Sequence, residues 1–292
     1  MPVSASRHTK LQACARRYAQ SDTGVAARRR AAHAPQQGAD AAPGGVRLNK
    51  AIAAAGLCSR RKADALIFAG QVLVNGAPEA NPARRVLPDD RITVNGRELA
   101  TAQEYRYLLL YKPVRTVCTV SDPDGRPTVM ECLPTGLRHL RLYPVGRLDY
   151  FSEGLLLLTN DGQLAQRLTH PRHHQPKIYE VLVRGCVSEK ALATMRQGMR
   201  LAEGQTLLPV EVERKTANST SNGNTLLRMV LRQGLNRQIR RMCRDLNLTI
   251  LRLCRVAQGP LDLGELTPGQ TRQLTAREVA DLRRGAGLPS SA

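Results

Sequence analysis

Residues 143–162 read YPVGRLDYFSEGLLLLTNDG, and this stretch says most about the fold. Its four consecutive leucines stand between two polar loops that contain glycine. A short apolar run bounded by turn residues predicts a strand buried on both faces, which is a rigid element for holding a functional side chain. The GRLD loop before it contains Arg147 and Asp149. Asp149 is either an ordinary turn residue or a reactive carboxylate that a nearby cation keeps ionised, and spacing alone leaves both interpretations open.

The charge balance indicates a polyanionic partner. The 292 residues include 44 Lys and Arg against 24 Asp and Glu, a net charge of +20. Such an excess is typical of proteins that bind nucleic acid. The seven cysteines show no C-x-x-C spacing, which favours a reducing compartment, here the cytoplasm, over a disulfide framework or a zinc site. No apolar run approaches the length of a membrane span, so no membrane partner is expected.

Residues 1–45 are rich in Ala, Arg and Gln and lack hydrophobic periodicity. This composition predicts a disordered basic tail that ends at the PGG sequence. An Arg-rich leader also fits an organellar transit peptide, although serines are few. As a tail, it would add non-specific RNA affinity that falls steeply with salt.

Residues 46–100 have the pattern of a small domain with two short helices and an antiparallel ribbon. Ser59 is a good N-cap for the second helix, and Asn75-Gly76 and Asn95-Gly96 are hairpin turns. Cations in the first helical turn oppose the helix dipole, so they make sense where phosphates lie against that turn. The alternative is a solvated charge run. The residues in question are Lys50, Arg60, Arg61 and Lys62.

Residues 105–284 alternate between strand and helix patterns without βαβ regularity and without a Gly-rich phosphate loop. This favours an α+β domain over a nucleotide-binding fold. Strands are predicted in LLLYKPV (108–114) and TVCTV (116–120), and near 155–159, 179–183, 226–232 and 250–256. Helices are predicted near 164–168, 189–198 and 237–246.

Two polar clusters raise the question of a metal. Asp122 and Asp124 belong to an SDPDGRP sequence that is dense in turn residues, so a plain turn is the better interpretation. His170, His173 and His174 lie on a proline-containing loop without a clear fourth ligand. Contacts to RNA or solvent fit them better, and no metal is expected.

The sequence QGLNRQIRRMCRDL predicts a basic amphipathic helix. Arg237, Arg240, Arg241 and Arg244 have the spacing of one helical face, and apolar residues occupy the other. Such a helix after a strand supplies phosphate contacts. One of its arginines can also turn inward to pair with a buried acid.

Residues 46–100 resemble the ribosomal protein S4-type RNA-binding domain, through the RLNKA, CSRRKA and VLVNG sequences. From about Val46 to Leu282 the chain resembles the RsuA-type family of ribosomal RNA pseudouridine synthases. The blocks that carry this resemblance are LLLYKPV, YPVGRLDYFSEGLLLLTNDG, KIYEVLVRG and QGLNRQIRRMCRDL. It implies an α+β architecture: an S4-type domain of two helices and a β-ribbon, then a mixed, mainly antiparallel synthase sheet flanked by helices.

The resemblance also implies roles for single residues. Asp149 would be the catalytic aspartate, Tyr179 the active-site tyrosine that stacks on the base, and Arg240 the arginine that pairs with the aspartate. Arg147 would displace or hold the flipped nucleotide. The full set expected to contact RNA is Lys50, Arg60, Arg61, Lys62, Lys177, Arg237 and Arg241.

The implied reaction isomerises uridine to pseudouridine without a cofactor or metal, through direct attack on the sugar or through a glycal. The resemblance implies a bacterial enzyme that is a monomer, and its expected partner is ribosomal RNA or a ribosome assembly intermediate. The N-R-Q-I-R-R-M sequence favours large-subunit (23S) RNA, whereas P-R-H-H is more like the small-subunit (16S) enzyme. A non-catalytic ribosome-assembly factor is the remaining alternative.

Overall fold

The computed structural model describes residues 45–100, 103–170, 175–215 and 223–290. Nearly all of the predicted basic tail lies outside these ranges, as do His173 and His174. Within them, no helix combines the length and the apolar character needed to cross a membrane.

The first part of the described chain is a small α+β unit with its own core. Its helices are α1 (Leu48–Ala54) and α2 (Arg60–Phe68). Its strands are β1 (Val46–Arg47), β2 (Val72–Val74), β3 (Ala77–Pro78), β4 (Arg85–Val86), β5 (Ile92–Val94) and β6 (Arg97–Glu98). Strands β3-β2-β5-β6 form an antiparallel sheet, and β1 pairs with β4. Leu48, Ile52 and Ile67 of the two helices pack on this ribbon.

The helix cap and the hairpin turns of this unit are those predicted from the sequence. The Ser59 hydroxyl accepts a hydrogen bond from the Lys62 amide at 3.2 Å, so α2 begins at the residue after the predicted cap. Asn75 and Gly76 have φ values of 54° and 83°, the left-handed pair that a tight hairpin turn requires. Asn95-Gly96 repeats this turn.

In the rest of the described chain, the elements are one large sheet, four α-helices and a short 3-10 helix, Thr135–Leu137. The strands are β7 (Tyr107–Lys112), β8 (Tyr143–Pro144), β9 (Glu153–Thr159), β10 (Lys177–Val183), β11 (Glu211–Arg214), β12 (Thr225–Leu231), β13 (Ile250–Gln258), β14 (Leu261–Asp262) and β15 (Thr271–Gln273). The helices are α3 (Gly162–Thr169), α4 (Glu189–Gln197), α5 (Gln238–Asp245) and α6 (Ala276–Gly285). The strand order is β11-β12-β10-β13-β9-β7-β15, and every pairing is antiparallel except β13 with β9. The predicted mixed, mainly antiparallel sheet is confirmed.

Strand β9 is central in this sheet because it lies between β13 and β7. All seven of its residues are buried, as the unbroken leucine run predicted. Its Gly154 has φ +102°, and a Cβ there would lie 2.3 Å from the Arg255 carbonyl oxygen. A glycine is therefore required for β9 to approach β13.

Helices cover both faces of the sheet. Leu164 of α3 and Leu282 of α6 share a core with Leu155 and Leu157 of β9. On the opposite face, helices α4 and α5 pack over strands β10 and β12. The segment between β7 and β8 covers Leu156 and the other residues of the β7–β9 pair that point away from α3. The active residues predicted from the sequence are therefore supported by a rigid sheet that is covered on both faces.

Three local predictions were incomplete or wrong. The TVCTV segment is not a strand: its main chain turns where the Thr119 amide donates to the Val117 carbonyl at 3.0 Å, and it makes one isolated bridge, Val117 to Thr128. Helix α5 begins at Gln238, and Arg237 is its N-cap at φ +48°. Helix α6 was not predicted, although Thr275 and Glu278 form its capping box.

Candidate active site

The turn that carries Asp149 is tied to other elements through its main chain. The Ser152 amide donates to the Asp149 carbonyl at 3.0 Å, which closes the turn. The Arg115 amide donates to the Tyr150 carbonyl at 2.6 Å. Beside the turn, the Cys118 thiol accepts from the Leu148 amide at 3.2 Å and lies 3.4 Å from its carbonyl. Hydrogen bonds to the main chain of the turn therefore hold Asp149 in position without any contact of its carboxylate.

Arg240 of helix α5 contacts this turn from the opposite side. Its Nε lies 3.5 Å from Oδ2 of Asp149, an ion pair longer than an ideal hydrogen bond. Its Nη2 donates to the Phe151 carbonyl at 2.8 Å and to the Ser152 hydroxyl at 3.1 Å. Burial lowers the pKa of Arg240 and the Asp149 charge raises it, and an arginine stays protonated under both influences.

The buried amine of Lys112 is a third support. Its Nζ donates to the Pro113 carbonyl at 2.7 Å and to the Ser152 carbonyl at 2.8 Å, and the residue is fully buried. Burial lowers the pKa of this amine, while the carboxylates of Glu153 and Asp149 are among the charges that raise it. The end of β7 is therefore linked to the end of the turn that carries Asp149.

Strand register brings Tyr179 to the same place. Arg255 of β13 is paired with Gly154 on one side and with Tyr179 on the other, so these three residues form one row across the sheet. Gly154 follows the Asp149 turn directly in β9. A tyrosine from a distant part of the sequence therefore lies beside the turn, and the packing of α5 over β10 closes the space between them.

These residues line one pocket of about 90 Å³. It brings together all four predicted catalytic residues and one of the predicted RNA contacts: Asp149, Tyr179, Arg240, Arg147 and Arg237. The Asp149 side chain is 30% exposed, so a substrate can reach a carboxylate that is already paired with a cation. Arrangements of this kind suit attack by a carboxylate on an electrophilic carbon or removal of a proton.

The four arginines of the basic helix have different surroundings. Arg240 turns inward, as one member was expected to do. Arg244 pairs with Glu203 at 2.6 Å and with Asp245 at 2.7 Å, so its charge is already engaged. Arg241 is half-buried, and Arg237 is exposed at the pocket. The four arginines therefore do not form the single phosphate-binding face that their spacing suggested.

Arg147 does not pair with Asp149 in the described part of the chain. It is exposed at the pocket edge, and the ion pair of Asp149 is with Arg240. Lys177 lies two residues before Tyr179, and its half-buried Nζ donates to the Gln175 carbonyl at 3.3 Å. Burial lowers the pKa of Lys177, with a further lowering by Arg255.

The predicted RNA contacts of the first unit lie at its surface. All are exposed, and no ion pair is described for any of them: Lys50, Arg60, Arg61 and Lys62. A charge run without acidic partners at a helix N-terminus is available for phosphate.

The spacing of the two carboxylates in the SDPDGRP turn raised the question of a metal, but both are paired with an arginine. Arg126 pairs with Asp122 at 2.7 Å and with Asp124 at 2.8 Å. Across the described ranges, no group of three or more His, Cys, Asp or Glu side chains is arranged to hold a metal ion.

Sequence reasoning did not single out Ser152, Lys112, Arg115 or Cys118. Lys112 and Ser152 do belong to sequence blocks that carry the family resemblance. A lysine that follows an apolar run and precedes a proline, as in LLLYKPV, is a signal that could have found Lys112. Cys118 has no local signal because its partner, Leu148, is defined only by the fold.

Comparison with known proteins gives a consistent result. Residues 106–245 match the family described as RNA pseudouridylate synthase, and residues 46–97 match the S4 domain. An uncharacterized RNA pseudouridine synthase of Aquifex aeolicus is 40% identical over 249 residues, which cover 83% of this chain and 96% of that protein. The ribosomal large subunit pseudouridine synthase B of Bacillus subtilis is 37% identical over 243 residues, covering 81% and 95%.

Two further matches extend this comparison. The ribosomal large subunit pseudouridine synthase B of Pseudomonas aeruginosa is 39% identical over 251 residues, which cover 84% of this chain and 64% of that protein. A crystal structure of a pseudouridylate synthase superposes with a TM-score of 0.57 at 30% identity, covering 81% of this chain and 99% of the other.

Proposed function

The chain belongs to the RsuA-type family of RNA pseudouridine synthases and has an N-terminal S4 domain, and from this premise we propose that it isomerises one specific uridine of large-subunit ribosomal RNA. The observation that carries the proposal is the single pocket in which Asp149, Arg240 and Tyr179 meet. Two relatives named for the large ribosomal subunit, at 37% and 39% identity, support the choice of RNA.

The reaction conserves atoms and electrons within the nucleoside. The N1–C1′ bond of uridine breaks, the uracil rotates, a C5–C1′ bond forms, C5 loses its proton and N1 gains one. Asp149, as a carboxylate, attacks C1′ of the sugar or removes the 2′ proton to give a glycal. Both routes require an ionised carboxylate within reach of the ribose, and the Arg240 guanidinium favours that ionised form.

The other pocket residues act on the base and on its path into the site. Tyr179 lies across the pocket from the turn, where its ring stacks on uracil and its hydroxyl assists in removing the C5 proton. Uridine must leave its stack to enter, at a cost of a few kcal/mol. Arg147, exposed at the pocket edge, fills the vacated position or holds the flipped nucleotide.

The S4 domain supplies affinity. Its exposed and unpaired cations at the start of α2 contact phosphates of a folded RNA segment. Lys177, Arg237 and Arg241 would extend this contact toward the pocket. Together they hold a ribosomal RNA, free or in an assembly intermediate, while the target uridine enters the catalytic domain.

The target is tested by mapping pseudouridines in both ribosomal RNAs of a deletion strain and of the same strain supplied with the gene. We expect one pseudouridine of the 23S RNA to disappear and to return. Loss of a 16S position instead would move the reaction to the small subunit. Unchanged modification of both RNAs, together with no activity of the purified protein on either transcript, would contradict the proposal.

The role of Asp149 is tested with Asp149→Asn, which keeps the shape of the side chain and removes its charge. We expect no detectable product and RNA affinity within a few-fold of wild type. Asp281→Asn, a change to a surface carboxylate of α6 outside the pocket, is the matched control and should retain full activity. Product formation by Asp149→Asn at a near wild-type rate would exclude Asp149 as the reacting group.

A further inference from the structure

A second cleft lies on the other side of the Asp149 turn. Its volume is about 390 Å³, and its outer wall is formed by residues 117–126. Its inner wall is the turn itself, from Arg147 to Tyr150. Because Arg147, Leu148 and Asp149 line both spaces, the cleft adjoins the catalytic pocket directly.

The lining of the cleft includes one aromatic residue, Tyr150, in a chain that has few of them. The sequence contains seven Tyr, two Phe and no Trp. Two of these nine, Tyr150 and Phe151, directly follow Asp149, and their rings meet edge to face with centroids 5.0 Å apart. Phe151 is 59% exposed, although burial would be expected of an aromatic residue that served only the core. Phe151 lies outside the lining of the cleft. The half-buried Tyr150 lines it, and its ring, which Phe151 supports edge to face, offers a binding surface beside Asp149.

The main chain holds these rings in place without using the rings themselves. The Tyr150 carbonyl accepts from the Arg115 amide at 2.6 Å. The Phe151 carbonyl accepts from Arg240 at 2.8 Å. A ring on a fixed turn loses little conformational freedom when a ligand stacks on it.

The charges around the cleft select an anionic, planar ligand. Arg147 is exposed on the inner wall with no described ion pair, so its guanidinium is available to a phosphate. Arg126 on the outer wall is already paired with Asp122 and Asp124. An aromatic surface next to one available arginine matches an unpaired nucleotide, whose base stacks and whose phosphate binds the cation.

We propose that this cleft binds an unpaired nucleotide next to the target uridine, with the Tyr150 ring stacking on its base and Arg147 contacting its phosphate. The inference rests on the proposed function and adds a recognition element to it. A neighbouring nucleotide is joined to the uridine by a single phosphodiester, so it leaves the RNA stack through the space that adjoins the pocket. Selection of the uridine then depends on the neighbouring nucleotide as well as on the uridine.

The test is a double-mutant cycle between Tyr150 and the neighbouring base. The RNA is a stem-loop transcript containing the uridine that the wild-type protein modifies, and it is prepared with an abasic nucleotide on the 5′ or on the 3′ side. We expect abasic RNA on one of the two sides to lower kcat/KM of wild-type enzyme by roughly 5- to 150-fold, the factor for one stacked base. Tyr150→Ala should lose a similar factor on intact RNA and no more on abasic RNA. Tyr150→Phe, which keeps the ring, should recover on intact RNA the factor that Tyr150→Ala loses.

The outcomes separate this proposal from the one on which it rests. If the two losses multiply, so that Tyr150→Ala acts more slowly on abasic RNA than on intact RNA, the subsite is overturned. An absence of any effect of abasic nucleotides on either side also overturns it. If wild-type protein forms no pseudouridine in any ribosomal RNA, the proposed function itself fails before the cycle begins. Thermal unfolding of Tyr150→Ala at the wild-type temperature shows that a loss belongs to RNA recognition.

Discussion

Arg240 connects the charge of Asp149 to the shape of the turn that carries it. Its Nε is 3.5 Å from the Asp149 carboxylate, while its Nη2 donates to the carbonyl of Phe151 at 2.8 Å. One planar guanidinium makes both contacts because its donors are fixed relative to one another. A lysine offers a point charge and cannot hold the same two positions together.

Replacement of Arg240 should therefore affect catalysis more than binding. Arg240→Lys keeps a positive charge and loses the joint contact, so kcat should fall by about 100-fold, as expected for a displacement of about 1 Å, with KM nearly unchanged. Single-turnover kinetics on the transcript that contains the target uridine measure the loss of rate. Arg244→Lys, on the exposed side of the same helix, is the matched control and should stay near wild type. A wild-type kcat for Arg240→Lys would show that charge alone is sufficient.

The start of α2 should set the salt dependence of RNA binding. The double variant Arg60→Gln and Arg61→Gln removes two exposed cations without ion pairs, and the slope of log K against log salt should decrease by roughly 1 for each lost phosphate contact. Filter binding of the ribosomal RNA transcript between low and physiological salt gives the slope. Arg277→Gln removes a cation from α6, where the side chain is 94% exposed, and should leave it unchanged. Equal slopes for all three proteins would remove α2 from the RNA interface.

A buried ion pair should hold α6 against the start of α3. Arg283 lies 2.9 Å from Asp161, and both side chains are almost completely buried. Arg283→Met removes the cation from the Asp161 carboxylate, which keeps hydrogen bonds from the Tyr107 hydroxyl and from the first amides of α3. The free energy of unfolding should therefore fall by about 3 kcal/mol, the lower end of the range for a broken buried pair. Urea denaturation followed by circular dichroism measures the change. The adjacent Arg284→Met removes an exposed pair with Asp281 and should cost at most about 1 kcal/mol. Equal effects of the two variants would contradict the structural role.

The cap of α6 should make stability depend on pH in the acid range. Hydrogen bonds from Arg272, and then from Thr275, lower the pKa of Glu278 from 4.5 to about 2. Because the folded-state pKa is the lower one, the stabilisation is fully present above pH 4.5 and is lost as the pH falls through about 2. The pair is partly solvated, so its contribution should be below about 1 kcal/mol.

Thermal unfolding of Glu278→Gln at several pH values tests this. The variant should be less stable than wild type at pH 6, and the difference should shrink as the pH is lowered from 4.5 toward 2. Glu265→Gln, which changes an exposed carboxylate, should show no such trend. A difference that stays constant with pH would mean that Glu278 acts through packing alone.

Prediction from sequence succeeded where the signal was local. Ser59 as an N-cap and the two Asn-Gly turns depend on hydrogen bonds and φ values within a few residues. The buried strand β9 followed from an unbroken leucine run. The same kind of signal was present for α6, whose Thr275 and Glu278 form a capping box, and it was overlooked.

Prediction failed where a long-range contact outweighed local preference. The β-branched TVCTV segment has strand propensity, yet Cys118 bonds to Leu148 and the segment forms the wall of a cleft. For Asp149, the residues alone left Arg147, two positions away, as one candidate ion partner, whereas the family resemblance implied Arg240. In the structure the ion pair is with Arg240 of helix α5, as the resemblance implied, because the apolar side of that helix packs into the core and turns Arg240 toward the pocket.

The sequence by itself determined the family, the α+β class and the candidate Asp149, since motifs and hydrophobic periodicity are properties of short segments. Only the tertiary structure decided the geometry of the pair between Asp149 and Arg240, how Tyr179 reaches it, and that the turn has a second cleft behind it. The reason is physical. Strand register and helix packing set distances between residues far apart in the chain, and the free energy of those contacts is absent from any single segment.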